Sequence, residues 1–382
     1  MASRSVLLLS LTLLLVPLAA AAPPTTGPAS LERFEFVQPK MGTVFRIVFY
    51  APDKAAADAA AAAAFKRVDD LNAALSDYDP NSELSRLSQQ TNDGPMTRPA
   101  AVGDDLWRVL DAGYQAAETS GGAFDVTVGP FTRLWRRSKE LRELPAPERV
   151  EAARQSFGYR NLRLDPKAHT VQLLAPRMRL DVGGIAKGYT AEQAMAVLRQ
   201  HGITRAMVGA AGDIAVGDPP PGRDAWRVGV QSLQKPDEVA GYVSLHNCGI
   251  STSGDTYRVV EIDGKRYSHI VDPRTGLGLT QRIGVTVVAP DATTSDWSST
   301  AVSILGPEKG LAMIERIPGA AVRIVVPNDD GGRAGGGAGP GGNPASKPSA
   351  TTQKSTILES ARFKAIGFEP AASFPGKDDR LE

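Results

Sequence analysis

The spacing of hydrophobic positions changes along the first half of the chain and predicts strands followed by helices. The segment FEFVQPKMGTVFRIVFYA, which starts at Phe34, predicts two short strands around a turn. The Ala-rich segment 53–75 has high helix propensity. A second helix is predicted over 104–118, closed by Gly121 and Gly122. The charged, proline-containing stretch after it favours short helices and loops.

The second half of the chain, from Met178 onward, contains more strand patterns. The predicted strands are MRLDVGG, RAMVGAAGDIAV, AWRVGVQSL, GYVSLHNCGIST, RYSHIVD, RIGVTVVAP and a final AVRIVVPND. The predicted helices are GYTAEQAMAVLRQHG, which stops at Gly202, then DWSSTAVSILG and PEKGLAMIERI. Because strands and helices mix without strict βαβ alternation, the pattern predicts an α+β fold and not a doubly wound one.

The two ends of the chain and one internal stretch have compositions of their own. Residues 1–22 combine a positive residue, an apolar run and an alanine-rich end, which is typical of a cleaved signal peptide. The alternative is an uncleaved membrane anchor, but the run is shorter than the roughly 20 residues that span a bilayer. A spacer over 23–33 precedes the predicted domain at 34–330. Residues 331–356, rich in Gly, Pro and Ser, predict a disordered insertion before the C-terminal segment 357–382.

Charge and cysteine content narrow the classes of partner and compartment. The 382 residues contain 43 Lys and Arg against 42 Asp and Glu, a formal charge of +1. That balance offers no general attraction for polyanions, so we expect no nucleic-acid partner. Cys248 is the one cysteine, so stability depends on the core and not on disulfides. We expect a periplasmic protein, with association with the outer face of the inner membrane left open.

The segment LDVGGIAKGYTAE, residues 180–192, holds the densest group of chemically active residues. Asp181 stands where the predicted strand ends, two glycines permit a close backbone approach, and Lys187 precedes a helix. This arrangement suits a phosphate-bearing ligand, although its glycine spacing differs from that of a Walker A loop. The alternative is a tight strand-to-helix turn with a solvated lysine.

A second group of candidate residues suits a magnesium ion. Asp296 and Thr300 are four residues apart, so both would lie on one face of a helix and offer hard oxygen ligands. The backbone carbonyl of Gly184 is a candidate third ligand. The alternative is that Asp296 marks a helix N-terminus, near the positive end of the helix dipole.

Two further groups suit proton transfer and the binding of a planar ring. His269 adjoins a turn rich in Asp, Arg and Thr, which makes it a general-base candidate, with a structural histidine as the alternative. Tyr78 and Phe124 could cover a planar ring whose polar edge meets Asp125. Singly, such residues belong to turns and cores in most proteins.

Nine motifs in order resemble the ApbE family of FAD:protein FMN transferases. They are MGT, SDYDPNSELSRL, GGAFDVTVGP with LW after it, LDVGGIAKGY, AGDI, WRVGV, STSGD, SHIVDPRTG and DWSSTAVSILG. The resemblance extends from about Phe34 to Val325. It implies one ApbE-like mixed α/β domain with two lobes and a flavin site in the cleft between them.

The resemblance also implies roles for individual residues. The implied flavin contacts are Met41, Tyr78, Ala123, Phe124, Asp125, Asp181, Lys187 and Ile270. The implied magnesium ligands are the Gly184 carbonyl, Asp296 and Thr300, and the implied catalytic residues are His269, which would help to activate the acceptor hydroxyl, and Asp296. One departure from the family pattern is Ala210-Ala211, whose methyl groups would crowd a close approach of the backbone to FAD.

The activity implied by the resemblance is a magnesium-dependent transfer. FAD is cleaved, FMN is attached by a phosphoester bond to a Thr or Ser of an exported or membrane redox protein, and AMP is released. The acceptor would be a flavoprotein subunit of an electron-transport system. Two alternatives stay open, a pyrophosphatase that converts FAD to FMN and AMP, and a non-catalytic periplasmic flavin-binding protein.

Overall fold

The computed structural model describes residues 30–235, 238–254, 259–328 and 355–371. Its α-helices are α1 Lys54–Leu75, α2 Glu83–Gln89, α3 Asp104–Ser120, α4 Gly129–Leu141, α5 Pro147–Arg154, α6 Ala186–Gln200, α7 Ala292–Leu305, α8 Pro307–Glu315 and α9 Ala361–Ile366. Its β-strands are β1 Glu32–Lys40, β2 Thr43–Ala51, β3 Ala100–Ala101, β4 Leu162–Asp165, β5 Thr170–Leu173, β6 Ala206–Ala210, β7 Asp213–Val216, β8 Trp226–Gln231, β9 Val239–Leu245, β10 Cys248–Gly254, β11 Val259–Ile262, β12 Lys265–Ser268, β13 Val271–Asp272, β14 Leu277–Gly278, β15 Gly284–Ala289, β16 Ala321–Pro327, β17 Ser355–Glu359 and β18 Glu369–Pro370.

The first two strands form the hairpin that the sequence predicts. Lys40 pairs with Thr43, and the two loop residues between them, Met41 and Gly42, have φ of 49° and 67°. Two consecutive residues with positive φ match a type I′ turn, whose twist suits a two-residue hairpin. Met41 is therefore placed at a tight turn, half-buried against the core.

An eight-stranded antiparallel sheet forms the centre of the fold. Its strand order is β1-β2-β6-β7-β10-β15-β16-β17. Helices α1 and α6 cover one face, where Phe45 and Val208 pack against Ala61 and Leu198. Strands β8 and β9 cover the other face, where Trp226 is fully buried. The sheet is thus buried on both sides in this region, and the predicted α+β class is confirmed by the mixture of helices and antiparallel strands.

Helix α7 lies on the same side of the sheet as α6 and packs closely on β10. The hydroxyls of Ser251 and Ser295 are 2.8 Å apart, and those of Ser253 and Ser299 are 2.7 Å apart. A methyl group added at Gly249 would lie 2.3 Å from the backbone nitrogen of Ala292, so only glycine permits this approach. Small residues therefore bring the predicted magnesium helix against the central sheet.

Three sequence predictions about individual elements are wrong. MRLDVGG is not a strand, because the chain there runs through isolated contacts, such as the Asp181 amide donating to the Val126 carbonyl at 2.8 Å. Helix α7 begins at Ala292 with Asp291 as its N-cap, so Asp296 lies in the second turn and not at the N-terminus. AVRIVVPND is not the final strand, because β17 pairs with it.

Several predictions concern residues that the structure describes only in part. The signal peptide at 1–22 lies outside the described residues, as does most of the segment 331–356. Ser355 and Thr356, placed in the predicted insertion, form the start of β17. The described residues from Leu31 onward form one compact unit, while the two-lobed arrangement stays a prediction. Among the described helices, none is both long and apolar enough to cross a membrane.

Candidate active site

Lys187 and Asp296, which are 109 residues apart in sequence, meet at the centre of the candidate site. The Lys187 ammonium lies 2.6 Å from an Asp213 oxygen and 3.4 Å from Oδ1 of Asp296. The Gly188 amide donates to Oδ2 of Asp296 at 2.9 Å. Three elements therefore supply the group: the first turn of α6, the start of β7 and the second turn of α7.

Burial sets the electrostatics of this group. Asp296 is 2% exposed, and burial, with repulsion from Asp213 second, raises the pKa of Asp296 to about 7. Burial alone would lower the pKa of Lys187, but the two carboxylates outweigh it and the net shift is upward. Two buried carboxylates face one ammonium group, so the ionised cluster carries a net negative charge that a further cation would offset.

Gly184 lies against Thr300, as is required if both residues are to bind the same metal ion. A methyl group added at Gly184 would lie 3.2 Å from Oγ1 of Thr300 and 3.1 Å from the ring of Phe124. Phe124 in turn packs on Trp297, with ring centroids 6.2 Å apart. The Gly184 backbone thus sits between the predicted flavin contact Phe124 and a predicted metal ligand.

The predicted magnesium ligands fit the ion in donor chemistry. A carboxylate, a hydroxyl and a backbone carbonyl are hard oxygen donors, which Mg²⁺ prefers. Asp296 and Thr300 lie one turn apart on α7, and Gly184 is close to Thr300. Within the part of the chain that the structure describes, no group of three His, Cys, Asp or Glu side chains could hold a metal. A magnesium site here would therefore use few protein charges and leave coordination positions for a phosphate-bearing ligand.

Arg136 on α4 connects two predicted flavin contacts. Its guanidinium lies 2.5 Å from Asp77 and 3.2 Å from Asp181, and it covers the Tyr78 ring with 4.1 Å to the centroid. Burial, with repulsion from Asp181 second, raises the pKa of Asp77 to about 6. The Tyr78 side chain is 76% exposed. Tyr78 therefore presents an open aromatic face, held from one side by a cation.

Asp125 is the predicted flavin contact with the most internal partners. One of its oxygens accepts from the amide and the hydroxyl of Thr127, and the other accepts from the Tyr159 amide at 2.7 Å. Burial raises the pKa of the Asp125 carboxyl, while these hydrogen bonds oppose the shift. The carboxylate thus holds together the turn that carries Ala123 and Phe124, both of which are buried.

His269 and Ile270 lie in the short connection between β12 and β13. The Ile270 amide donates to the Ser268 hydroxyl at 3.1 Å, and the Trp135 indole donates to the Ser268 carbonyl at 3.0 Å. Trp135 precedes Arg136 on α4, so one helix contacts both this connection and the Tyr78 region. The neighbouring residues 255–258, which include the last residue of the STSGD motif, lie outside the described residues.

The Ala210-Ala211 departure is located at the β6 to β7 connection. Ala210 is fully buried in the core with α1 and α6, so its methyl group is committed to packing. Ala211 is exposed and has φ of 58°, a conformation that favours glycine. Only the Ala211 methyl is therefore placed where it could meet a ligand.

Sequence reasoning missed three residues of the site. Asp213 belongs to the AGDI motif but was given no role, and its only sequence signal is its position at a strand start after a glycine. Asp77 lies in the SDYDPNSELSRL motif but was given no role, and its pairing with Arg136 had no sequence signal, because 59 residues separate them. Only the folded chain brings these charges together.

Solved structures with a similar fold define the class of protein. The flavin transferase ApbE from Vibrio cholerae superposes with a TM-score of 0.73 at 27% identity, covering 88% of this chain and 100% of that chain. The ApbE protein from Thermotoga maritima gives a TM-score of 0.72, also at 27% identity, covering 88% and 99%. The fold is that of the ApbE flavin transferases.

The chain belongs to the ApbE family, whose sequence model matches residues 41–324. It is 30% identical to an FAD:protein FMN transferase of Klebsiella pneumoniae (strain 342), covering 76% of this chain and 83% of the relative. Proteins of the same name from Haemophilus influenzae and Treponema pallidum are 32% and 31% identical, covering 69% and 79% of this chain and 77% and 87% of the relatives. The family resemblance drawn from the motifs is confirmed.

Proposed function

We propose that this chain is an FAD:protein FMN transferase that requires Mg²⁺. It would cleave the pyrophosphate of FAD, attach FMN through a phosphoester to a Thr or Ser hydroxyl of an exported or membrane redox protein, and release AMP. The observation that carries the proposal is the buried group of Lys187, Asp213 and Asp296 beside the Gly184 backbone. Its donors suit a pyrophosphate held with a divalent cation, and relatives of this chain are named for the reaction.

Each residue of the buried group has a distinct part in the proposal. Asp296, Thr300 and the Gly184 carbonyl would hold Mg²⁺, which neutralises phosphate charge when bound. The Lys187 ammonium would contribute a second positive charge toward the pyrophosphate. Asp213, 2.6 Å from that ammonium, orients it and keeps it protonated.

The flavin ring would bind at Tyr78 and Phe124. The exposed face of Tyr78 is available for stacking, and Arg136 holds the tyrosine in place while pairing with Asp181. Phe124 lies beside Gly184, so a ring held there would have its phosphate chain directed toward the buried charges.

His269 would accept the proton of the acceptor hydroxyl. The hydroxyl oxygen forms a bond to the FMN phosphorus, the pyrophosphate bond to the AMP phosphate breaks, and AMP leaves with the bridging oxygen. His269 then carries the proton that the hydroxyl has lost. The half-buried position of His269, next to Ser268 held by Trp135, limits its movement.

The test is flavin transfer by the purified protein with FAD and Mg²⁺, with and without a candidate acceptor. Covalent flavin fluorescence on the acceptor, with AMP release that depends on it, is expected. The Asp296→Asn variant should lower transfer by at least about 100-fold, because it removes a ligand of the Mg²⁺ that would neutralise phosphate charge. Asp291→Asn on the same helix is the matched control, since Asn also caps a helix, and it should stay close to wild type.

Each other outcome identifies one of the alternative functions. Rapid AMP release without any acceptor, and no labelled protein, would indicate an FAD pyrophosphatase. FAD binding without AMP release in any condition, with FAD binding unchanged in Asp296→Asn, would indicate a flavin-binding protein.

We also propose that the enzyme acts in the periplasm, because residues 1–22 have the pattern of a cleaved signal peptide. Sequencing the N-terminus of the exported protein would test this.

A further inference from the structure

Two adjoining cavities between α4, α5 and residues 177–179 form one groove lined by arginines. Their volumes are about 380 Å³ and about 430 Å³, and Arg133 and Arg149 belong to the walls of both. The arginines of this surface, which we call the arginine groove, are Arg133, Arg136, Arg137, Arg149, Arg177 and Arg179.

The positive charge of the groove is largely uncompensated. Glu140 is the one acidic side chain that lines either of these two cavities. Arg136 pairs with Asp77 and Asp181. Among the described residues, no ion pair is formed by Arg133, Arg137, Arg149 or Arg177. Burial and repulsion from Arg133 lower the pKa of Arg179. An anionic group entering the groove would relieve this repulsion.

The spacing of the arginines shows that they form a continuous surface. Arg133, Arg136 and Arg137 occupy positions i, i+3 and i+4 of α4, so they project from one face of that helix. Arg149 lies on the facing helix α5. Three of the six arginines lie within five residues of α4, and the others come from α5 and from residues 177–179, so only the folded chain assembles the whole groove.

The groove combines charge with an apolar lining. Pro130 and Leu134 of α4 and Ala152 and Ala153 of α5 line it between the arginines. Leu141, which follows the lining residue Glu140 on α4, is 53% exposed. Arginine next to exposed apolar side chains is typical of protein interfaces. A concave surface of this kind suits an extended polypeptide better than a flat membrane. Its exposed arginines do not enclose a pocket of the size of a free phosphate ion.

The groove adjoins the candidate active site through one residue. Arg136 lines the groove and also contacts Asp181 and the Tyr78 ring. A segment bound in the groove would therefore lie next to the predicted flavin contacts.

We propose that the arginine groove binds an acidic segment of the protein that accepts the flavin. That the partner is the acceptor rests on the proposed function, whereas the acidic character of the segment rests on the groove alone. Binding there would hold the acceptor beside the active site through charges that take no part in the chemistry.

The test compares two double charge reversals. Arg133→Glu with Arg149→Glu changes the groove, and Arg98→Glu with Arg163→Glu changes two exposed arginines outside it as a matched control. The probe is a fluorescein-labelled decapeptide of alternating Glu and Ala, measured by polarisation at low and at physiological salt. We expect the groove variant to bind at least about tenfold more weakly and the control within about twofold of wild type. Hydrogen exchange should show peptide protection confined to α4, α5 and residues 177–179.

Each other outcome overturns the proposal. Equal weakening in both double variants would mean nonspecific attraction, and displacement of the peptide by millimolar inorganic phosphate would mean a small-anion site. Binding to vesicles of phosphatidylglycerol without peptide binding would mean a membrane surface. FAD binding should be unchanged in the groove variant, and a loss of FAD binding would mean that the substitutions act on the flavin site. If the wild type itself neither releases AMP nor labels a protein, the proposed function fails, while the peptide measurement still decides the acidic specificity of the groove.

Discussion

Gly188 marks the closest approach of α6 to α7, and its replacement by alanine should disrupt both stability and the site. A methyl group at Gly188 would lie 2.1 Å from the Ala292 carbonyl oxygen and 2.8 Å from Cβ of Asp296. The first distance is about 1.3 Å short of ordinary contact, and the obstacle is backbone, which cannot rotate away. The two helices must therefore separate.

The expected loss of stability follows from three contributions. Overpacking of this kind costs about 1–3 kcal/mol. A separation of about 1 Å also breaks the 2.9 Å hydrogen bond from the Gly188 amide to Asp296, and a bond to a charged acceptor contributes about 1.5–3 kcal/mol. Alanine regains about 0.5–1 kcal/mol of helix propensity. The net loss in the free energy of unfolding is about 3 kcal/mol.

The measurement is denaturant unfolding of Gly188→Ala beside a matched glycine variant. Gly284→Ala on β15 is the control, because its new methyl would lie 3.4–3.6 Å from the Leu233 side chain, which is ordinary contact. We expect the control to stay within about 0.5 kcal/mol of wild type. Flavin transfer should fall in Gly188→Ala, since the displaced helix carries Asp296 and Thr300. Equal stability of the two variants would refute the reasoning.

Two further variants test the electrostatics and the backbone of the site. Arg136→Met should destabilise the protein more at pH 8 than at pH 5, measured by thermal unfolding. The pKa of Asp77 is already raised from 3.8 to about 6, so ionising this carboxyl in the folded protein costs stability as pH rises through that value. Removing the Arg136 cation raises the pKa of Asp77 further, so the cost of ionising Asp77 at pH 8 becomes larger. Equal losses at both pH values would contradict this. Ala211→Gly should raise the free energy of unfolding by about 0.5–1 kcal/mol, because φ of 58° is unfavourable for alanine. Calorimetry of that variant should also show FAD affinity equal to or higher than wild type, and a lower affinity would mean that the methyl group aids binding.

Local patterns predicted most elements because local physics forms them. The α1 helix begins after Asp53, whose carboxylate accepts from the Ala56 amide at 2.8 Å, as an N-cap does. Helix α3 ends at Gly121 with φ of 63°. Both boundaries depend only on neighbouring residues, so both were predictable.

The wrong predictions concern segments whose structure depends on distant partners. Residues 178–184 alternate as a strand does, yet Asp181 bonds to Val126 and the Arg177 amide bonds to Thr91, so no ladder forms. Strand β17 follows a long low-complexity stretch, and its pairing with β16 across that stretch has no local signal.

The amino-acid sequence by itself determined most of the helices and strands, the α+β class and, through ordered motifs, the family. It also singled out Lys187 and Asp296 as candidate site residues. Only the tertiary structure decided that a third charge, Asp213, completes their cluster, and that Arg136 joins Asp77 to Asp181. The physical reason is that the pKa of a buried charged group and its choice of partner depend on residues far away in sequence. Only the packing of the folded chain brings those residues together.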